Sequence, residues 1–155
     1  MSYLLDTCVL SDFERGSRHP GLQTWFAATH VDDIAVPVIA LAEVRLGANK
    51  LRAQGDGSEA DRIETWLRGV SLAFRVVPFD ARAAVLWSDI ACSVSHDGSR
   101  SFERDLMIAA TAIAGKFTLA TRNLRHFQPM ARWFPELAIF DPYRGVQEVM
   151  TPSAA

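Results

Sequence analysis

The 155-residue sequence predicts an α/β domain with a small, mostly parallel central sheet. Three observations point there. Short apolar runs of strand length alternate along the chain with longer segments whose apolar residues recur at helical spacing. Polar or acidic residues directly follow several of these runs, where an open α/β sheet places its ligand crevice. No repeat or linker-like stretch divides the chain, and its length suits one domain burying roughly 70% of its unfolded surface. Residues 1–145 are read as that domain, and 146–155 as a C-terminal tail, partly disordered.

Tyr3-Leu4-Leu5 reads as a short buried strand ending at Asp6. A short helix over 9–16 follows, stopped by Gly16. Pro20 suits the first turn of the next helix, whose Leu22, Trp25 and Phe26 share one face. Ile34-Ala35-Val36 is a second strand, closed by Pro37. Residues 38–53 read as a helix with Ile39, Ala42, Leu46 and Leu51 on its buried side. A loop over 54–58 comes next, with Ser58 and Asp61 at capping-box-like spacing. The helix that follows runs to about residue 72 and buries Ile63, Trp66, Leu67 and Val70. Residues 75–79 form a third strand, and Asp80 is a good N-cap for a helix over 81–95. After a loop over 96–99, residues 102–115 make the most apolar helix, with Gly115 at its C-cap. Residues 117–120 are a strand, and Ile139-Phe140 a last short one.

A net charge of −2 announces no global attraction to nucleic acid, although local arginines around an acidic site remain compatible with one. Cys8 and Cys92 lie far apart without a C-x-x-C spacing, so neither a disulfide framework nor a zinc signature is read. The chain starts Met1-Ser2-Tyr3-Leu4-Leu5-Asp6, without a basic-then-apolar leader, and has no apolar run of membrane-spanning length. A soluble, cytoplasmic protein is expected.

Asp6, Glu43 and Asp105 are acids set at the edges of, or within, apolar elements. Each has an ordinary reading. Asp6 suits a helix cap, Asp105 complements a helix dipole, and Glu43 can pair with Arg45 or Lys50 on a solvated face. Together they suggest one acidic cluster. Two unit charges at about 4 Å repel by roughly 4 kcal/mol at an effective dielectric near 20. A divalent cation relieves that repulsion while keeping the site charged, and oxygen ligands suit Mg²⁺ (or Mn²⁺). Phosphodiester chemistry is the expected use of such a site.

Four segments occur in order: Leu4-Leu5-Asp6-Thr7, Ala42-Glu43-Val44-Arg45-Leu46-Gly47, Asp105-Leu106-Met107-Ile108-Ala109-Ala110-Thr111-Ala112 and Ala120-Thr121-Arg122-Asn123. Together they resemble the PIN-domain ribonucleases, and within these the VapC-type toxins of toxin–antitoxin pairs, including FitB-like members. The resemblance spans roughly residues 2–143. It implies a PIN-like α/β/α sandwich, Mg²⁺- or Mn²⁺-dependent cleavage of RNA, a small antitoxin partner and a homodimer. It also implies Asp6 and Asp105 as metal ligands, and Glu43 as a third acid that orients or deprotonates the attacking water. Asn123 would be a fourth catalytic residue, offering an oxygen without charge. Thr7 and Thr121 match hydroxyl positions that orient carboxylates or water. Cys8 stands where these proteins often have Asn or Ser, which leaves one supporting hydrogen bond open. Arg104, Arg122 and Arg125 flank the acidic motifs and are candidates for gripping substrate phosphates. His96 and His126 read as ordinary surface or hydrogen-bonded residues, with contact to substrate the alternative for His126.

Three rival readings remain. A catalytically silent PIN-like module, binding protein or RNA, should have lost acids that this chain keeps. A dehalogenase-like phosphatase needs an Asp where Cys8 stands. A receiver domain needs a Lys after a late strand, whereas Lys116 precedes it.

Overall fold

A computed structural model describes residues 1–96 and 103–144. The expected tail and the loop after residue 96 therefore lie outside the described residues, as does Phe102. Five parallel strands form one sheet: β1 (Tyr3–Leu5), β2 (Ile34–Pro37), β3 (Arg75–Val77), β4 (Thr118–Ala120) and β5 (Ile139–Phe140), in the order β3-β2-β1-β4-β5. The helices are α1 (Thr7–Glu14), α2 (Pro20–Ala28), α3 (Val38–Ala53), α4 (Gly57–Ala73), α5 (Ala81–His96), α6 (Glu103–Gly115) and α7 (Leu124–Trp133). The period-2 alternation of strand side chains sorts the core into two layers. Leu4, Ala35, Leu119 and Ile139 pack with α5, α6 and α7. Leu5, Val36, Ala120 and Phe140 pack with α1, α2 and α4 on the opposite face.

The chain runs outward from β1 through β2 to β3, then returns to place β4 on the other side of β1. That reversal opens a crevice at the carboxyl ends of β1 and β4, where such sheets bind ligands. Leu5 pairs with Ala120, so Asp6 and Thr121 leave the sheet side by side. The Asp6 amide donates to the Ala120 carbonyl at 3.0 Å.

Most elements follow the expected bounds, and the differences have physical causes. The helix after β1 starts at Thr7, because Asp6 caps it through the Thr7 N–H at 2.7 Å. In α3 Ile39 and Leu51 face the core as expected, but the rest of the buried side is Ala40, Leu41, Val44 and Ala48, not Ala42 and Leu46. The small Ala48 and Ala60 lie in the α3–α4 interface, which turns Leu46 outward. The cap of α4 is Asp56, accepting from the Glu59 N–H at 3.2 Å, and not Ser58.

Gly115 ends α6 as its last residue. Lys116, at φ 56°, takes the left-handed position, and the Phe117 and Lys116 amides close on the Ala112 and Ile113 carbonyls. Gly115 is needed for the close approach of Phe117, whose ring would lie 2.2 Å from an added Cβ.

The sequence reading missed α7 altogether. Pro129 sits inside it, removes an interior donor and breaks the pattern around Phe127 and Met130, the residues the helix buries.

The C-terminal turn after β5 closes over α2. A Cβ on Gly21 would lie 2.1 Å from the Tyr143 carbonyl oxygen. Gly21→Ala should therefore destabilise the fold by about 1–3 kcal/mol, read as a lower urea midpoint with unchanged slope.

Candidate active site

The crevice at the β1–β4 junction is an open cleft of about 550 Å³. Asp6, Glu43, Asp105 and Asn123 all line it, delivered by four different elements. Asp6 follows β1, Glu43 sits in the second turn of α3, Asp105 lies in the first turn of α6, and Asn123 caps α7. The expected acidic cluster is thus assembled from residues up to 99 positions apart.

Asp6 is 3% exposed and fully engaged. Its Oδ2 accepts from the Thr121 hydroxyl at 2.7 Å and from the Cys8 thiol at 3.0 Å, while Oδ1 caps α1. The cap reading of Asp6 therefore holds at one oxygen, while the other is held by the Thr121 hydroxyl and the Cys8 thiol. Burial raises the Asp6 pKa above the ordinary carboxylate range; the three hydrogen bonds oppose that rise and the Glu43 charge adds to it. Burial, then the Asp6 charge, pushes the Cys8 thiol up to about 12, so at neutral pH it is a protonated donor. Cys8 supplies a hydrogen bond at the position the sequence left open.

Asp105 Oδ2 lies 2.8 Å from His126 Nδ1, and the same nitrogen lies 2.6 Å from the Asn123 amide. Burial raises the Asp105 pKa; the His126 bond counters this, and Asp6 and Glu43 add to it through their charges. Glu43 takes the Thr7 hydroxyl on one oxygen and the Arg104 guanidinium on the other, the latter at 2.9 Å. Arg45 pairs with Glu64 instead, so the solvated-face reading of Glu43 fails.

Among the described residues, no three His, Cys, Asp or Glu side chains already stand in a metal-holding arrangement. Each acid is turned to a partner of its own. The donor chemistry nevertheless fits a hard divalent cation. Two carboxylates carry raised pKa values in a cleft they share with a third, and the three acids offer hard oxygen ligands.

A PIN-domain family model matches residues 3–132 of the chain. The chain belongs to the PIN-domain family. Its relatives within that family are of the VapC type. It is 30% identical over 128 residues to VapC ribonuclease Y4jK of Sinorhizobium fredii, covering 81% of this chain and 89% of that protein. It is 29% identical over 141 residues to toxin FitB of Neisseria gonorrhoeae, covering 90% and 97%. Among solved structures, FitAB bound to a DNA fragment superposes with a TM-score of 0.73 at 28% identity, covering 91% of this chain and 95% of that one.

On this PIN scaffold the three candidate arginines separate. Arg104 lines the cleft. Arg122 is braced outside it, paired with Asp12 at 2.9 Å and set over the Tyr143 ring at 5.3 Å. Arg125 is exposed on the first turn of α7 and does not line the cleft. The sequence reading underrated His126, which links Asp105 to Asn123. The signal was the three-residue spacing from Asn123, and it is legible only once α7 is known to be a helix. Ser11 and Glu103 also line the cleft.

Proposed function

We propose that this PIN-domain protein is a Mg²⁺- or Mn²⁺-dependent endoribonuclease and the toxin of a toxin–antitoxin pair, working in the cytoplasm. The observation that carries this reading is the convergence of Asp6, Glu43 and Asp105, with the Asn123 amide, on one cleft at the sheet's switch point. Its similarity to a VapC ribonuclease and to toxin FitB supports RNA as substrate and an antitoxin as partner. Asp6 and Asp105 would hold the ion. A bound divalent ion supplies Lewis acidity at the scissile phosphate and makes a water acidic enough to attack. Thr121 and Cys8 fix the Asp6 carboxylate, and His126 fixes that of Asp105, so both are oriented before loading. Glu43, near the cleft mouth on α3, orients the attacking water and takes its proton. In-line attack then leaves a 5′-phosphate and a 3′-hydroxyl.

The test is cleavage of a mixed RNA pool with Mg²⁺, Mn²⁺ or EDTA, with end-group analysis. Metal-dependent cuts bearing 5′-phosphates are expected. Absence of both cleavage and metal binding would replace this reading with that of a catalytically silent binding module.

The antitoxin's place is assigned to a second groove, of about 750 Å³, between α3 and α4. Leu41 and Leu67 floor it, Val38 and Leu72 stand at its exposed rim, and Arg45, Arg68 and Glu64 are among its polar residues. Leu72 is 90% exposed and Val38 39%, so apolar surface continues out of the groove. An amphipathic segment with acidic flanks would cover it. Leu72→Asp should weaken antitoxin binding about tenfold or more, measured by calorimetric titration. The exposed Val85 and half-buried Trp87 of α5 offer a surface for the homodimer.

A further inference from the structure

Arg104 directly precedes Asp105, and its guanidinium reaches across the cleft to Glu43 at 2.9 Å. It is the one arginine or lysine among the described residues lining the cleft. The two ends of this pair differ in setting: Glu43 keeps 19% of its side chain exposed, Arg104 keeps 57%. Glu43 is also anchored from behind by the Thr7 hydroxyl, whereas Arg104 is a long arm reaching in from the rim. The other flanking arginine with a described ion pair, Arg122, is held away by Asp12 and the Tyr143 ring.

A guanidinium cannot shed its proton, so it cannot yield to a second cation by neutralising itself. A divalent ion entering beside Glu43 meets a like charge, and one of the two must leave. The planar fork that fits a carboxylate also fits a phosphate.

We propose that Arg104 is the cleft's built-in counter-cation, neutralising Glu43 until a divalent ion replaces it and then turning to a substrate phosphate. Metal loading and the grip on RNA are thereby coupled through one side chain. The inference rests on the metal-dependent nuclease reading and adds a competition that this reading does not require.

Two measurements test it. The first is Mn²⁺ titration by calorimetry, without RNA, for the wild type, Arg104→Gln, Arg104→Lys and Arg52→Gln. Arg52 pairs with Asp61 and Glu64 near the far end of α3, so its loss changes net charge without touching the cleft. Arg104→Gln should bind Mn²⁺ about 1.5- to fivefold more tightly, the range expected for losing one partly exposed ion pair. Arg104→Lys and Arg52→Gln should stay near the wild type. Wild-type binding with no gain in Arg104→Gln, or an equal gain in Arg52→Gln, overturns the exchange and leaves the nuclease reading standing. No Mn²⁺ binding by any of the proteins overturns both.

The second measurement is the affinity for a fluorescent single-stranded RNA in EDTA. Glu43→Gln, which frees Arg104, should bind more tightly than the wild type. That gain should vanish in Glu43→Gln/Arg104→Gln. A gain that survives the double substitution would come from the lost acid alone and overturns the proposal.

Discussion

Asp6→Asn and Asp105→Asn should each lower RNA cleavage by about a thousandfold or more while leaving the fold intact, since each removes a charged ligand from the proposed ion site. The structure allows this loss to be separated from unfolding. Asn at position 6 retains an oxygen for the Thr7 N–H, so α1 stays capped. The Thr121 hydroxyl can rotate to suit an amide in place of a carboxylate oxygen. Asn at position 105 keeps a polar partner for His126. Each substitution also removes one member of a crowded acidic set. The metal-free variants should therefore be more stable than the wild type by about 0.5–2 kcal/mol, the usual size of a gain made by relaxing an active site. Loss of cleavage together with a lower melting temperature in both variants would assign these acids to the fold rather than to chemistry.

The same crowding gives a pH dependence of defined sign. Asp6 and Asp105 have folded-state pKa values above the ordinary carboxylate value of 3.8, chiefly because they are buried. Between that value and their raised folded values, the folded protein holds protons that the unfolded chain has released. Stability then falls as pH rises. The cost of these two groups is absent below the ordinary value and fully present above the folded ones. Exposed pairs such as Glu59 with Arg62, where the acid's pKa is lowered, act in the opposite sense. A difference measurement removes their contribution. The gap in melting temperature between Asp6→Asn and the wild type, without metal, should widen as pH rises above the ordinary carboxylate value and level off above the folded one. Saturating Mn²⁺ should shrink or reverse the gap, because the ion binds the folded wild type. A gap that is constant with pH, or unmoved by Mn²⁺, would detach the raised pKa values from metal binding.

The parts of this protein legible in its sequence are those where one local signal suffices. Apolar runs marked the strands, and acids at their edges marked Asp6, Glu43 and Asp105. Capping preference found Asp80, which does hold the Ala83 amide at 2.9 Å. What escaped depended on tertiary context. The buried side of α3 was misread because α4 approaches along Val44 and Ala48, and nothing within residues 38–53 states where α4 lies. Glu43 was offered Arg45 and Lys50 as partners because they are near in sequence, yet its cation comes from 61 residues away. His126 belongs to the site only through α7, whose interior proline hid the helix.

The central strand pair joins Leu5 to Ala120, and the site's acids straddle that seam. During synthesis the first strand must therefore wait, with its cleft edge unpaired, for most of the chain to be made. Asp6 lacks the Thr121 hydroxyl until the end of β4 has been made, and Asp105 lacks His126 until α7 has emerged. A ribosome-bound fragment that stops short of residue 120 carries three of the acids but not the architecture that brings them together. The topology itself thus delays assembly of the proposed site until translation has passed that point.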